Sequence, residues 1–452
     1  MDLLLISPCM DIESFQKSRK ALRIEKEIPN QETPHIGVAY ILSVARQYGI
    51  HAAYIDMGVR GVSIDTILDL IRKDKPSLVG FTSFTYQVKS ANIIAGEIKK
   101  IDTQIKICIG GPHAIATPQQ TLDEFENIDF VVCGEVEDIL PHVFDALADV
   151  NKLAKISNIL TRIVPVFRSQ PVVNLDALPF PAWDTFDLEK YSGTYPHRTK
   201  RELPMITGRG CPFRCTFCCR ALGDLLRQRS VRSVISEIET NIEKFDCESI
   251  AFMDETFVLH KKWSAEFFEQ MKKRGLNKKI TWACSTRVSN NSLELFQEMR
   301  EAGCYYIFFG FESASDQTLK RIKKHATLDQ ARQTVRWVKQ AGIIPVGAFI
   351  IGLEGDGEEE VLKAIDFGKE LDLYSITFPV AVPFPGSVLR ELAEQGRYGL
   401  KILTNDWNLY GKQGQSIMES ANLSAKRRNE LQKLAYQAHP KKSISEYING
   451  LH

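Results

Sequence analysis

The chain has 452 residues, 44% of them hydrophobic and 25% charged, a globular balance at a length that predicts two or three domains. Lys and Arg total 57 against 56 Asp and Glu, a net charge of +1; this gives no bulk field for nucleic acid or an anionic membrane surface, and no nucleic-acid partner is expected. No apolar run approaches the ~18 residues of a membrane-spanning helix, and Met1–Pro8 lacks the basic flank and cleavage site of a signal peptide. No transmembrane segment and a cytoplasmic location are expected.

Residues 1–150 alternate apolar runs with helical spacing. The runs Leu3–Ile6, Ala52–Ile55, Leu78–Phe81, Ile105–Ile109 and Phe130–Cys133 read as strands, with helices near 37–48, 64–73, 89–100, 118–126 and 137–148. Near-continuous apolar strands separated by helices predict an α/β domain with a doubly wound, Rossmann-like parallel sheet. Such sheets bind ligands beyond the C-terminal ends of their strands. That assigns any site here to loops Ser7–Met10, Asp56–Arg60, Thr82–Gln87, Gly110–Ala114 and Gly134–Glu137. Residues 151–200 carry Pro165, Pro171, Pro179, Pro181 and Pro196 and the segment LDALPFPAWDTF, the character of a linker pinned by aromatic contacts.

A second alternation fills 201–385. Strands are expected at Leu203–Thr207, Ser249–Met253, Ile280–Cys284, Tyr305–Phe309, Ile344–Ile350 and Ser375–Val380, with helices near 231–245, 262–274, 291–302, 328–341 and 357–371. Six β/α units predict a partial (β/α)6 TIM-type barrel with its functional loops at the strand C-termini. Residues 386–452 form a small, less regular C-terminal region. It is expected to cover the substrate site, with Trp407 and Tyr410 of NDWNLY as aromatic surface; ordinary packing of those rings is the competing reading.

Four of the ten cysteines fall in GRGCPFRCTFCCR at 208–220. Such clustering, in a chain without secretory features, points to metal rather than disulfides. The run follows an apolar strand and precedes a helix. Cys211, Cys215 and Cys218 can wrap one small cluster from a single loop, and three thiolates leave one iron of a cubane open. Gly208 and Gly210 let the backbone come close, and Arg209 and Arg214 offset the negative charge. Inert buried cysteines and a zinc site are the other readings; zinc favours four closed ligands, and no second CxxC stands at a suitable gap. Cys219 is an alternative fourth ligand, but the neighbour of Cys218 normally points away from it.

CPFRCTFC, with Phe217 before its last cysteine, resembles the CxxxCxxC motif of the radical S-adenosylmethionine (SAM) enzymes. The resemblance implies a [4Fe–4S] cluster on Cys211, Cys215 and Cys218, its open iron chelated by the amino and carboxylate groups of SAM. It implies a SAM site built from Phe217; from Asp254 or Glu255 of FMDETF for the methionine amino group; and from Arg287 of STR, whose fork suits the carboxylate. Glu312 and Ser313 of GFESAS are expected near the ribose or methionine end. Gly352 of GAFIIGLEGD is expected to give the adenine access to backbone. Each has a plainer reading as a solvated strand-end residue or an ordinary turn.

The segments TPHIGVAYILSVARQYGIHAAYIDM, VGFTSFTYQVKSANIIAGEI, IGGPHAIATPQQTL and DFVVCGEVEDIL are similar to the cobalamin (B12)-binding domain fused to many radical SAM enzymes. The D-x-H-x-x-G motif that supplies a lower cobalt ligand is missing: Thr33 stands two residues before His35, and His113 follows GGP. The resemblance therefore implies cobalamin bound without a histidine below cobalt. Thr82, Ser83 and Thr85 are expected to bond corrin amides or phosphate, Tyr86 to cap the lower face, and Gly110 and Gly111 to admit the nucleotide tail. A domain that has lost cobalamin is the alternative. The implied reaction is methyl transfer to an unactivated carbon or phosphinate of a small-molecule or natural-product substrate through a 5′-deoxyadenosyl radical. An electron donor such as flavodoxin or ferredoxin is implied too. A non-methylating cyclase or rearrangement enzyme, and a cobalamin or iron–sulfur sensor without catalysis, are the alternatives; no catalytic side chain is assigned.

Overall fold

A computed structural model describes residues 1–10, 33–59, 62–164, 168–191, 193, 201–289, 291–411, 414–440 and 447. Arg60, Pro165 and Pro196, named above, lie outside the described residues. The chain divides into two compact units: Met1–Ser192 with Cys219–Leu222 and Asp406–Asn408, and Gly193–Cys218 with Gly223–Asn405 and Leu409–His452.

In the first unit, β1 (Leu3–Ser7), α1 (Ile36–Gln47), β2 (Ala52–Asp56), α2 (Ile64–Asp74), β3 (Leu78–Thr82), α3 (Val88–Ile101), β4 (Lys106–Gly110), α4 (Pro112–Ala116), α5 (Pro118–Glu124), β5 (Phe130–Val132), α6 (Leu140–Ala146) and β6 (Ile159–Thr161) follow in order. The sheet runs β2-β1-β3-β4-β5-β6. Its first five strands are parallel, while β6 pairs antiparallel with β5, Val131 opposite Leu160. Every residue of β1 is buried, as in a strand covered on both faces. Because β2 lies on one side of β1 and β3 on the other, the order reverses at β1, and the ends of β1 and β3 (Ser7, Thr82) flank the switch point. The segment read as a linker is more than that: it supplies β6 and a fully buried Trp183, set edge-on to Phe186 with centroids 5.5 Å apart. The Ala182 amide bonds the Ala39 carbonyl of α1 at 3.0 Å.

The second unit contains β7 (Glu202–Met205), β8 (Gly208–Arg209), β9 (Arg227–Gln228), α7 (Val231–Phe245), β10 (Ser249–Phe252), α8 (Lys261–Lys273), β11 (Thr281–Thr286), α9 (Leu293–Glu301), β12 (Cys304–Glu312), α10 (Asp316–Arg321), α11 (Leu328–Gln340), β13 (Ile344–Phe349), α12 (Glu358–Leu371), β14 (Ser375–Thr377), α13 (Val388–Glu394), β15 (Lys401–Ile402), β16 (Met418–Glu419) and α14 (Ala425–Ala438). Six strands pair in parallel in the order β7-β10-β11-β12-β13-β14. With their helices they form a partial (β/α)6 barrel. Its helices begin where polar caps satisfy free amides: Ser230 accepts from the Ser233 amide, Thr327 and Gln330 form a capping box, and Ser424 accepts from Arg427. Phe252, Phe257, Phe267 and Trp282 fill the core behind β10 and β11, with Phe257 and Trp282 centroids 5.3 Å apart. Among the described residues no helix is long and apolar enough to cross a membrane.

Candidate active site at the strand ends of the barrel

After β7 the chain enters the two-residue ribbon of β8 and β9, where Gly208 pairs with Gln228 and Arg209 with Arg227. A side chain at Gly208 would lie 2.9 Å from the Arg227 carbonyl, so the ribbon requires glycine there. Gly210 then turns the chain at φ +94°, a conformation L side chains rarely adopt. The Cys211 amide bonds the Gly223 carbonyl at 3.1 Å, closing the loop at its base. Within it Cys215 is buried, Cys211 half-buried and Cys218 exposed. A cubane takes its thiolates at separate corners, so the three sulfurs need not converge on a point.

Thr216, between two of these cysteines, fastens the loop to the barrel. Its amide bonds the Ile322 carbonyl at 3.1 Å, its carbonyl accepts from the Leu389 amide at 2.8 Å, and its hydroxyl donates to buried Glu354. The neighbouring Phe217 packs, as Ile350 does, against the apolar cluster of Leu319, Ile322 and Leu353.

Arg287, just past β11, carries the clearest ligand signal. It is 7% exposed. Its Nη1 donates to Cys215 Sγ at 3.6 Å and its guanidinium lies 3.8 Å over the Phe213 ring. Its Nε and Nη2 are buried with no hydrogen-bond partner. Two unsatisfied donors on a buried cation are costly, and they form the fork that matches a carboxylate. These donors, beside Cys215, fit a carboxylate.

The other expected SAM residues are arranged differently from one another. Asp254 is buried and already bonded: both carboxylate oxygens lie 3.1 Å from the Thr207 amide, and the Thr207 hydroxyl donates to Oδ1 at 2.6 Å. Burial raises its pKa to about 7, against those bonds. Glu255 is exposed on the same rim, beside the Gly210 amide and Arg209 and Arg227. Glu312 sits at φ +66° and its carboxylate forms a buried ion pair with Lys324 at 2.7 Å. Lys323 and His325, on either side of Lys324, also have positive φ, 56° and 50°. Ser313 accepts the Ser315 amide at 3.2 Å and starts the turn into α10.

Gly352 corrects an expectation. It has φ +80°, and the room left by its missing side chain is filled by Arg428 of α14, whose Cζ would stand 2.6 Å from a Cβ. The close approach it permits on this side is to this guanidinium. Sequence reasoning missed Thr216, Lys324, Glu354 and Arg428. Glu354 alone left a trace, as an acid two residues beyond a strand-end glycine.

Trp407 and Tyr410 give a second correction: both are buried, so neither offers aromatic surface to a substrate. Tyr410 accepts from Arg390 Nη1 and donates to the Thr404 carbonyl, both at 3.1 Å.

At the strand ends of the first unit, the Ser83 amide bonds the Gly110 carbonyl at 3.1 Å and the His113 amide bonds the Ser83 carbonyl at 3.3 Å. A side chain on Gly111 (φ +91°) would meet the Ser83 amide nitrogen at 2.7 Å. Thr85 Oγ1 lies 3.3 Å from His113 Nδ1. Ser83 and Thr85 are buried, so they bind the β3 and β4 loops together rather than present hydroxyls to a ligand; this revises their expected role. Thr82 and Tyr86 are only partly buried, and Tyr86 stacks on exposed Phe84 at 5.7 Å. Exposed Met10 lies beyond β1, next to β3 in the sheet, and open space surrounds Gly37 in the first turn of α1. Met10, Phe84 and Tyr86 thus give the described part of the switch point an apolar rim.

A loop of three cysteines on a partial barrel, joined to a doubly wound domain, defines a radical SAM enzyme with a cofactor-binding partner domain. The radical SAM superfamily profile matches residues 205–368, and the B12 binding domain profile matches residues 29–144. An uncharacterized methyltransferase of Pyrococcus horikoshii, PH0819, is 32% identical over 85% of this chain and 83% of its own length. The chain belongs to the radical SAM superfamily, in its B12-binding branch. An anaerobic magnesium-protoporphyrin IX monomethyl ester cyclase of Rubrivivax gelatinosus is 27% identical over 80% of this chain and 67% of its own. The cytidylyl-2-hydroxyethylphosphonate methyltransferase of Streptomyces wedmorensis is 26% identical over 80% and 78%. The fold matches the radical SAM methyltransferase TsrM of Kitasatospora setae at TM-score 0.70, 18% identical over 95% of this chain and 81% of that one. With the family come its cofactors, a [4Fe–4S] cluster and SAM, and with the first domain cobalamin.

One acid on this rim makes a stability prediction. Asp356 accepts from Thr318 Oγ1 at 2.9 Å and from the Leu353 amide at 3.1 Å. Burial, the dominant cause, still raises its pKa to about 7. The folded protein therefore holds a proton on Asp356 that the unfolded chain loses near pH 4. Stability falls as pH rises between those values, by up to about 1.4 kcal/mol per pH unit for this group. Urea unfolding from pH 4.5 to 7.5 is expected to give Asp356→Asn a slope of stability against pH that is more positive than wild type's, by up to about 1.4 kcal/mol per pH unit. An identical slope would show that Asp356 titrates normally.

Proposed function

We propose that this chain is a cobalamin-dependent radical SAM methyltransferase that acts on an unactivated carbon or phosphinate of a small-molecule substrate. The observation that carries the radical SAM site is Arg287, with two unsatisfied buried donors beside Cys215. The methyltransferase relatives support methyl transfer as the outcome. When bound, the cluster and SAM supply a 5′-deoxyadenosyl radical and cobalamin carries the methyl group. The chain's own part is positional. Cys211, Cys215 and Cys218 hold the cluster, and Arg287 takes the SAM carboxylate. Glu255, with Asp254 behind it, faces the amino group, while Phe217, Glu312 and Ser313 shape the rest of the pocket. Thr82 and Tyr86 meet the corrin, and Gly110 and Gly111 admit the nucleotide tail. Residues 1–150 are the cobalamin domain and 201–385 the barrel. A flavodoxin or ferredoxin supplies the electron, in the cytoplasm, where thiols stay reduced.

The cyclase relative favours a second reading, ring formation with the same cofactors. Anaerobic reconstitution followed by mass spectrometry separates the two. Methyl transfer yields 5′-deoxyadenosine together with S-adenosylhomocysteine and a product heavier by one methylene. Cyclisation yields 5′-deoxyadenosine without S-adenosylhomocysteine. Neither product would sink both readings.

Cobalamin is expected to bind without a histidine below cobalt. His35 Nε2 is 3.0 Å from Ser7 Oγ, and buried His113 is engaged with Thr85. EPR of the cob(II)alamin form should lack nitrogen superhyperfine splitting. Triplet splitting would contradict base-off binding, and its disappearance in a protein with both His35 and His113 replaced would assign it to one of these imidazoles.

A further inference from the structure

Residues Asp406–Asn408 belong to the first unit, although they stand far along the chain. Trp407 is 1% exposed. Its Nε1–H donates to Glu124 Oε2 of α5 at 2.6 Å. Its ring meets His113 of α4 edge-on, with centroids 5.2 Å apart at 71°. The preceding Asp406 takes Lys89 Nζ of α3 at 2.7 Å. Three helices of the unit are thus tied to one three-residue segment.

His113 is where these contacts matter. It is 1% exposed. Its Nδ1 lies 3.3 Å from Thr85 Oγ1, and its amide donates to the Ser83 carbonyl at 3.3 Å. The Ser83 amide in turn bonds the Gly110 carbonyl. One imidazole therefore couples the loop after β4 to the loop after β3, and the latter flanks the switch point. Burial of a tryptophan needs only an apolar hole. Here its flat face or edge also meets the side chain that joins both loops, and its N–H and its neighbour's carboxylate fix its depth and direction.

We propose that Trp407 is a positioning residue for cobalamin: it holds His113, and through His113 the Ser83–Thr85 turn and Gly110–Gly111, in the shape that receives the corrin. This rests on the reading of the first unit as a cobalamin site. A segment from the C-terminal part of the chain is then a component of the first cofactor site.

The test uses the full chain, anaerobically reconstituted, with hydroxocobalamin as the probe. Affinity is measured by spectral titration, hydrogen exchange of residues 82–90 is followed without cobalamin, and iron per chain is the control. Trp407→Leu should weaken cobalamin binding by about tenfold or more, as loss of a second-layer support does at metal sites. It should also speed exchange in 82–90 and leave iron content unchanged. Trp407→Phe keeps the ring against His113 and should restore most of the affinity. Adding Thr85→Val to Trp407→Leu should cost little more than the worse single change, since both act through His113. Wild-type affinity in Trp407→Leu overturns the inference. If Trp407→Leu does not fold, the pair Glu124→Gln and Asp406→Asn loosens the segment instead, and unchanged affinity there overturns it equally. A wild-type chain that takes up no hydroxocobalamin overturns the underlying cobalamin reading instead.

Discussion

Single replacement of Cys211, Cys215 or Cys218 with Ala is expected to abolish the bound cubane, whereas Cys219→Ala retains it. On the proposed assignment each of the three thiolates supplies one iron's protein ligand, and a cubane with only two thiolates and an exposed edge is lost to solvent. The loop needs no cluster to hold its outline, because the Cys211 amide and all three polar groups of Thr216 are bonded to the barrel or the loop base. The replacements should therefore remove iron without unfolding the chain. Iron and sulfide analysis, with EPR of the reduced protein, reads the result. A Cys219→Ala protein without the cluster, beside a Cys218→Ala protein that keeps it, would exchange their roles.

The second large effect is expected at Arg287. Arg287→Ala should weaken SAM binding by roughly 1.5–3 kcal/mol, the range for a charge-assisted bond lost inside protein. That is on the order of ten- to a hundredfold in Kd. Arg287→Lys keeps the charge but not the planar fork, so its affinity should fall between the two. Iron content should not change in either variant, which separates loss of the ligand from loss of the cluster. Calorimetry on the reconstituted protein measures it, and wild-type affinity in Arg287→Ala would remove this residue from the site.

Much of the architecture was legible because the strands are written in apolar runs. Leu3–Ser7 and Ile344–Phe349 are buried along their whole length, so composition alone marks them. Ile159–Thr161 was not legible, since three residues in a proline-rich stretch carry no period and the strand exists only through pairing with β5. The ribbon of Gly208–Arg209 with Arg227–Gln228 is shorter still. At the site, spacing singled out the cysteines, and the strand-end position singled out Arg287, which the fold buries beside Cys215. What stayed hidden were charges whose partners lie far away in sequence. Lys324 looks like one basic residue in a basic run, yet it is buried against Glu312. Arg428 looks like the surface of a polar helix, yet it is 0% exposed and lies in the space beside Gly352. Gly352 was misread for the same reason: a glycine signals that something comes close, and the sequence does not say what.

The strand order of the barrel has a consequence for how the chain is made. Apart from the β8–β9 ribbon, each strand of the barrel sheet pairs with the one before it in that sheet, so every new β/α unit can dock on an edge that already exists as it leaves the ribosome. Loop-closure entropy is then met in small steps. The first sheet grows otherwise, because β1 must hold its place until both β2 and β3 arrive on either side of it. It also receives Trp407 only after most of the barrel has been synthesised. The first unit is therefore not complete when its last strand has been made, and its final packing waits on residues more than two hundred positions downstream of that strand.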